Sequence, residues 1–241
     1  MRRLRQILGI AVLRSRWIKR QYLWMFQGFV GVVGFTITLF VWGGTDAIRN
    51  LIIALFIVGA WGLGLNIVAQ QIGWDRVYYA LEFYVASPIT LPTYFMGTVL
   101  GSTPFLLRNM LPATLTALLL GMKPSSLIPV LLLSAFSLVL GAFTSLSIVL
   151  RLKNPTNISA ITNPLYTFTI TLPPVYYPLT FLPPVLAKVA LIMPTVSLME
   201  LARWLAGLPV ACNPALPAVS LCFWIITVTI LVARKFRWGQ E

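Results

Sequence analysis

The sequence predicts an all-α integral membrane protein with six transmembrane helices, and three observations support this class. Of the 241 residues, 59% are hydrophobic and only 10% are charged, whereas soluble globular domains carry about 25% charged residues. Apolar segments near the 20 residues that a helix needs to cross a bilayer core recur along the chain. Lys and Arg concentrate at the ends of these segments, which is the pattern that sets orientation in a membrane.

The apolar segments delimit six expected spans within one domain of residues 1–241. They are residues 22–43, 48–72, 91–120, 127–150, 158–172 and 215–233. With a cytoplasmic N terminus, thirteen of the 18 Lys and Arg residues lie inside, seven of them before Tyr22, and four lie outside. A seventh crossing by residues 185–207 would put the basic C terminus outside, against the positive-inside bias. We therefore expect a plasma-membrane protein with both termini cytoplasmic, and an outer-face helical element at residues 175–207 that re-enters without crossing.

The N-terminal residues 3–20 have the pattern of an amphipathic helix. Its apolar face would carry Leu4, Ile7, Leu8, Ala11 and Ile18. Arginines lie roughly opposite, at Arg2, Arg5, Arg16 and Arg20. Such a helix lies along the cytoplasmic membrane surface, where its arginines contact anionic lipid. A contact with a protein partner is compatible with that position.

The loop between the second and third spans predicts a short, aromatic-rich cytoplasmic helix at residues 74–86. Ser87-Pro88 would end it, because a proline disfavours helical geometry in the residue before it. The candidate functional residues here are Trp74, Val77, Tyr78, Leu81, Glu82, Phe83, Ser87 and Pro88. Trp and Tyr favour the membrane interface, so a simple interfacial belt is one interpretation. Docking of the aromatic side chains into a groove on a cytoplasmic partner is the other.

Arg108 lies inside the third apolar segment. A helix over residues 91–120 would be about 45 Å long, against a bilayer core of about 30 Å. The segment must therefore tilt, kink or extend beyond the core, and Pro104 and Pro112 flank Arg108 at four residues on either side. An arginine in a span costs about 2.5–3.5 kcal/mol. Arg108 is thus expected either to snorkel or pack between helices, or to line a transport pathway.

The stretch after the fifth span is dense in proline. Irregular backbone at membrane depth is stable only where protein or water covers it. Further on, Glu200 and Arg203 are three residues apart, a spacing that suits an ion pair on one helix. A rigid cap with a solvated charged face and a gate at the outer mouth are both open interpretations. The gate would comprise Tyr176, Tyr177, Pro178, Pro183, Pro184, Pro194, Glu200 and Arg203.

The composition excludes several chemistries. The chain has no histidine and only five scattered acidic residues, so a Ser-His-Asp triad, a histidine-ligated metal and a paired-acid site are not expected. It has no phosphate-binding loop of the G-x-x-x-x-G-K-[ST] type. The net charge of +13 lies at segment ends and does not form a nucleic-acid groove. We expect no enzymatic activity, metal or cofactor in this chain by itself, and no nucleic-acid partner.

Four features together resemble the type-2 ATP-binding-cassette (ABC) permease family, the membrane subunits of many exporters. The six-span layout follows a basic amphipathic N-terminal helix. The loop Ala80-Leu-Glu-Phe-Tyr-Val-Ala-Ser-Pro88 is similar to the family's T-L-E-x-L-L-x-S-P loop. Pro174-Val-Tyr-Tyr-Pro178 followed by Leu182-Pro-Pro184 is similar to its P-x-x-x-(S/Y)-x-x-x-x-P element. Met193-Pro-Thr-Val-Ser-Leu-Met-Glu200 with Arg203 is similar to its N-P-x-x-x-x-x-E-x-x-R ending, with Ala80 and Met193 departing from the common Thr and Asn.

The resemblance implies a homo- or heterodimer of permeases bound to two cytoplasmic ATPase chains, which would hold the ATP and Mg²⁺. Residues 74–86 would be the coupling helix, and nucleotide-driven closure of the ATPases would move a substrate outward. Arg108, Asn163 and Thr167 would then be candidates for the pathway or the dimer seam, although polar side chains in a span also hold helices together. A membrane binding or assembly protein that needs no nucleotide is the alternative function.

Overall fold

The computed structural model describes residues 2–20, 22–152 and 154–235, which are helical with short connections and contain no strand. The helices are α1 (Arg2–Ser15), α2 (Tyr22–Gly62), α3 (Ala69–Val77), α4 (Ala80–Ala86), α5 (Leu91–Ser102), α6 (Leu107–Leu119), α7 (Pro124–Val149), α8 (Ile158–Thr171), α9 (Pro184–Ala190), α10 (Pro194–Leu205) and α11 (Ala215–Lys235). Short 3₁₀ segments occur at Arg16–Arg20, Thr103–Leu106, Pro155–Asn157 and Leu179–Phe181, and a π-helical turn occurs at Leu63–Val68. The all-α class predicted from the sequence is confirmed. Lys153 and Arg237, which the charge count puts on the cytoplasmic side, lie outside the described residues.

Three described helical segments are long and apolar enough to cross a membrane. They are Met25–Val77, Pro124–Val149 and Ala215–Arg234. A fourth candidate is the pair α9 and α10, which is bent by 106° as in a broken span or a re-entrant loop. By contrast α8 has 14 residues, which is about 21 Å against a core of about 30 Å. The helices are compatible with a membrane protein, and they show three or four candidate spans where the sequence predicts six.

The first two expected spans, residues 22–43 and 48–72, lie in two helical stretches that meet at a kink within α2, where the non-helical Gly44 joins them without a longer loop. Gly44 has φ 61° and ψ −153° and bends α2 between them. Glycine adopts a positive φ at no steric cost because it has no Cβ. We call residues 22–43 the first arm and residues 45–62 the second arm. The second arm continues through the π-helical turn directly into α3, and we call this continuous stretch, residues 45–77, the α2–α3 rod.

The prediction of a single helix over residues 74–86 is wrong. α3 ends at Val77 and α4 begins at Ala80, because Tyr79 between them has φ 59° in the left-handed region. Trp74 therefore belongs to the end of the long α2–α3 rod, while Phe83 belongs to the separate helix α4. Tyrosine is uncommon in the left-handed region, so the sequence contains no signal for this break.

The long segment at residues 91–120 is interrupted, and it forms two helices. A 3₁₀ turn at Thr103–Leu106, with Pro104 in its first turn, separates α5 from α6. Pro112 lies inside α6 without ending it. The proline nearer the start of the segment thus determines where it breaks, and Arg108 falls in the first turn of α6.

The N-terminal helix α1 packs on α5, and this is a departure from a helix that only lies on the membrane surface. Cβ atoms at Gly97 and Gly101 would lie 2.6 Å from Ile10 Cβ and 2.5 Å from Arg14 Cβ. The two glycines therefore let the helices approach closely. Of the expected apolar face, Leu4 and Leu8 are exposed, and only Ile10, outside that set, is fully buried within α1.

The second arm, the π-helical turn and α7 form the centre of the core. Trp61 is buried and donates from Nε1 to Thr169 Oγ1 at 3.0 Å. A Cβ atom at Gly64 would lie 2.3 Å from Leu138 O and 2.6 Å from Ala142 N. The rod and α7 therefore cross at backbone contact distance, and the glycine in the π-helical turn permits this crossing.

Gly64→Ala is expected to destabilise the protein, since the added methyl group meets backbone atoms that do not move without shifting α7. The cost of such overpacking is about 1–3 kcal/mol. Gly34→Ala is the matched control, because nothing lies within 4 Å of its Cβ position and alanine stabilises an open helical site by about 0.5–1 kcal/mol. Melting temperatures in detergent should therefore move in opposite directions. Equal shifts for the two variants would contradict the close crossing.

Candidate functional site

A cavity of about 360 Å³ lies between the two arms of α2, α6 and α8. The arms contribute Gly28, Gly31, Val32, Phe35, Ala54, Leu55, Val58 and Gly59, and Arg108, Asn109, Tyr166 and Tyr176 complete the lining. This volume is within the range of about 300–1,000 Å³ that small-molecule sites occupy. The lining combines apolar side chains with a few polar groups, as such sites do. The cavity is therefore the candidate binding site of the chain.

Arg108 reaches the cavity from the first turn of α6. Its aliphatic stem lies across Gly28, where a Cβ atom would be 2.2 Å from Arg108 Cδ. Its Nε donates to Asn109 Oδ1 at 3.3 Å. Arg108 thus packs on the first arm and borders the cavity at once, so its position is compatible with both interpretations made from the sequence.

Tyr166 is a lining residue that the sequence analysis did not single out. A Cβ atom at Gly62 would lie 2.6 Å from its Cε2 atom, and one at Gly59 would lie 2.6 Å from Asn109 Nδ2. These two glycines, three apart on the second arm, make room for side chains from α8 and α6. Their spacing on one helix face is the sequence signal that marks this approach. Tyr176 closes the cavity nearby, with its ring centroid 5.2 Å from that of Phe35.

A polar cluster joins α8 to the π-helical turn. Asn66 Nδ2 donates to Asn163 Oδ1 at 2.7 Å, and Thr162 Oγ1 donates to Asn66 Oδ1 at 3.1 Å. Gln70 Nε2 also donates to Asn66 Oδ1, at 2.5 Å. π-helical turns are frequent at functional sites. Its hydrogen bond to Asn66 attaches Asn163 to the π-helical turn. Asn163 and Thr167, which lies one turn further along α8, are both exposed.

Arg14, Asp75 and Tyr94 form a network where α1, α3 and α5 meet, in which Asp75 and Tyr94 are buried and Arg14 is half-buried. Both carboxylate oxygens of Asp75 accept from Arg14, with Nη1 and Oδ1 3.0 Å apart, and the Tyr94 hydroxyl donates to Asp75 Oδ2. Burial alone would lower the pKa of Arg14, but the hydrogen bond and the charge of Asp75 outweigh it and raise that pKa above its ordinary value. The Arg14 guanidinium also lies 6.0 Å from the Tyr84 ring centroid. The network fixes α1 to the end of the α2–α3 rod.

An exposed aromatic patch lies at the same end, formed by Trp74, Tyr78, Tyr79 and Phe83. The exposed fractions of these residues run from 49% for Trp74 to 78% for Phe83, and Trp74 and Tyr78 stack with centroids 5.6 Å apart. Tyr79, which was not among the candidate residues, joins the patch because its left-handed backbone turns the chain there.

The other candidate residues around the patch divide by exposure. Glu82 and Pro88 are exposed, while Val77, Leu81 and Ser87 are half-buried against the protein. The carbonyl of Pro88 accepts from Gln6 Nε2 at 3.3 Å, which ties the end of α4 to α1. Arg76 Nη1 donates to the carbonyls of Val149 and Leu152, both at 3.0 Å. The aromatic patch is therefore exposed, while the ends of α3 and α4 that carry it are hydrogen-bonded to the rest of the protein.

Glu200 and Arg203 form a fully buried ion pair at the opposite end of the rod. Arg203 Nη1 lies 2.7 Å from Glu200 Oε1, which confirms the pairing predicted from their spacing. Arg203 Nε donates to Asn50 Oδ1 at 2.9 Å, and Nη2 donates to the carbonyls of Val175 and Tyr177. Both side chains have no exposed surface, so the interpretation of a solvated charged face is wrong. The pair joins α10 to α2 and to the segment after α8.

The remaining candidate gate residues differ in their exposure. Tyr176 lines the cavity, and Pro194 is buried at the start of α10. Tyr177, Pro183 and Pro184 are exposed, and Pro178 is half-buried. The α9–α10 turn is pinned instead by Trp224 Nε1, which donates to Ile192 O at 2.7 Å. The turn between α9 and α10 is thus hydrogen-bonded to α11, and the gate at the outer mouth stays a prediction.

The two ends are separated by roughly the thickness of a bilayer core. Asn50, which holds Arg203, and Trp74 in the aromatic patch are 24 residues apart on the continuous rod. At about 1.5 Å per residue this is about 36 Å, against about 30 Å for the hydrocarbon core. The cavity lies between them, since Ala54 to Gly59 belong to its lining.

No protein-family model matches this sequence, and no curated protein matches it significantly. A function is therefore inferred from the geometry of the cavity, the aromatic patch and the two anchored ends.

Proposed function

We propose that this chain is the membrane-spanning permease subunit of an ABC transporter, which moves a substrate outward using ATP hydrolysed by separate ATPase chains. The exposed aromatic patch at the end of the α2–α3 rod is the observation that carries the proposal. Large aromatic side chains are the residues that most often anchor protein interfaces. In this account the patch contacts the cytoplasmic ATPase, and the chain binds no ATP or Mg²⁺ itself.

The rod gives the patch a mechanical link to the cavity. Gly59 in the cavity lining and Trp74 in the patch are 15 residues apart on it, or about 22 Å. Arg76 and Asp75, next to Trp74, fix the end of the rod to α7, α1 and α5. A displacement of the patch by the ATPase would therefore move the rod as a unit and change the shape of the cavity.

A second permease copy accounts for the polar face of α8. Asn163, Thr167 and Thr171 are exposed on this apolar helix. Polar side chains at membrane depth are expensive in contact with lipid and usually face protein or water. A homo- or heterodimer with α8 near its seam would cover this face or line a shared pathway with it.

The orientation follows from charge. The aromatic patch lies beside α1, which carries the exposed arginines Arg2, Arg3 and Arg5, and basic residues favour the cytoplasmic side. We place this end and both termini in the cytoplasm of a cell with the chain in its plasma membrane. The cap formed by α9 and α10 is then on the outer side and shapes the exit.

Phe83→Glu tests the docking surface. A buried carboxylate at an aromatic hot spot should cost at least about 2 kcal/mol of binding, or about thirtyfold in affinity. The variant is expected to lose the ATPase chain on gentle purification from native membranes. Phe181→Glu is the matched control, because Phe181 is 75% exposed and Phe83 is 78% exposed, yet Phe181 lies outside the patch.

Both variants should keep the melting temperature of the wild-type chain, since each replaces an exposed side chain. Loss of the ATPase from the Phe83 variant alone supports the proposal. Equal retention of an ATPase by both variants would show that the aromatic patch is not the docking surface. An assembly that contains no ATPase would favour a binding or assembly protein that needs no nucleotide.

A further inference from the structure

The lining of the cavity is positively charged. Arg108 contributes the formal charge to its lining, and among the described lining residues no Asp or Glu occurs. A guanidinium carries five N–H donors in a planar fork that matches the oxygens of a phosphate or carboxylate. The electrostatics of this cavity therefore favour an anion.

The lining is also divided by polarity. Arg108 and Asn109 on α6 and Tyr166 on α8 present guanidinium, amide and hydroxyl groups. The arms of α2 present Val32, Phe35, Leu55 and Val58 along with glycines. One side of the cavity thus suits a polar headgroup, and the other suits a hydrocarbon chain.

The first arm of α2 is a single helix that separates the cavity from the surroundings of the protein. Gly28, Gly31, Val32 and Phe35 face the cavity, while Phe29, Val30 and Val33 on the same arm are exposed. An amphiphile in a membrane around the chain would lie one helix away from the site.

We infer that the cavity binds an anionic amphiphile, with its oxyanion headgroup at Arg108 and its chain against the arms of α2. In the exporter this compound class is the substrate, and to that extent the inference rests on the proposed function. Binding itself needs neither ATP nor an ATPase, so it is measured on the purified chain.

Three probes separate the parts of the inference. Dodecyl phosphate carries both the anion and the chain, dodecylphosphocholine carries the same chain with a zwitterionic headgroup, and inorganic phosphate carries the anion alone. Equilibrium dialysis in a non-ionic detergent should give at least tenfold tighter binding for dodecyl phosphate than for either other probe, because dodecylphosphocholine has no net negative charge for Arg108 to bind and inorganic phosphate has no chain to bury.

Two variants locate the site. Arg108→Gln removes the charge and is expected to weaken dodecyl phosphate binding at least tenfold, while Arg108→Lys should retain part of it. Gly31→Leu puts a side chain into the cavity, and Gly34→Leu is its control. Neither glycine has an atom within 4 Å of its Cβ position, and only Gly31 of the two belongs to the lining.

Tight binding that is lost in Arg108→Gln and Gly31→Leu and kept in Gly34→Leu supports the inference. Equal binding of the phosphate and phosphocholine probes overturns the anionic part, and equal binding of inorganic phosphate overturns the amphiphilic part. Binding unchanged in both cavity variants places the probe elsewhere and overturns the site. Each result is obtained without an ATPase, so it is independent of whether the chain proves to be a transporter subunit.

Discussion

Arg203→Met is expected to lower the stability of the protein by about 3–5 kcal/mol, because it leaves the buried carboxylate of Glu200 without its partner. The side chains of both residues have no exposed surface. The variant also removes the donors that reach Asn50 and the carbonyls of Val175 and Tyr177. The α9–α10 cap should therefore loosen, which a lower melting temperature in detergent and faster hydrogen exchange in α10 would record.

The chain supplies a matched control for this experiment. Arg49 and Asp46 form another i,i+3 pair, at 3.4 Å, but their side chains are 43% and 86% exposed. Exposed pairs contribute at most about 1 kcal/mol, so Arg49→Met should change the melting temperature little. Similar effects of Arg203→Met and Arg49→Met would mean that burial of the first pair has no energetic consequence, contrary to this account.

Asp75→Asn is the second change with a large expected effect. It removes the charge that Arg14 binds with two hydrogen bonds and that also accepts from Tyr94. Breaking a buried pair by removing one charge costs about 3 kcal/mol or more. Since Arg14 belongs to α1, the loss should appear as faster hydrogen exchange throughout α1 while α7 stays protected.

A double-mutant cycle isolates this interaction. Arg14→Met and Asp75→Asn made together should cost less than the sum of the single changes, with a coupling energy of about 0.5–3 kcal/mol. Glu82→Gln is the control for the removal of a negative charge at this end of the protein, since Glu82 is an exposed acid in the neighbouring helix α4. Additive effects of the two changes would contradict a direct link between α1 and the rod.

Patterns of hydrophobicity and proline predict much of this fold, because they act locally. The all-α class, the long apolar helices, the break near Pro104 and the bend before residue 48 all follow from apolar length and from prolines or glycines in the chain. Tyr79 was not predictable in the same way, since its left-handed backbone has no local residue signal. The sequence therefore predicts a continuous helix over residues 74–86, where the structure has a break at Tyr79.

In the candidate sites too, local sequence patterns predict some features, and contacts between distant segments determine the others. The spacing of Glu200 and Arg203 predicts their ion pair, but their burial depends on Asn50 and on the segment after α8, which are distant in sequence. Arg108 was marked by its charge in an apolar segment. Tyr166 carries no such mark itself; the spacing of Gly59 and Gly62 indicates only that side chains approach this helix face, and the contact at Gly62 identifies Tyr166. Pairings between distant segments depend on tertiary packing, which no local pattern encodes.

Counting the chains in the native assembly tests the central claim most directly. The tagged protein is purified gently from its own membranes, and the co-purifying chains are identified and counted by mass spectrometry. The account predicts two permease copies, or this chain with one similar permease, bound to two ATPase chains that each carry a phosphate-binding loop. Recovery of a clean assembly without any ATPase, across several detergents, would contradict it.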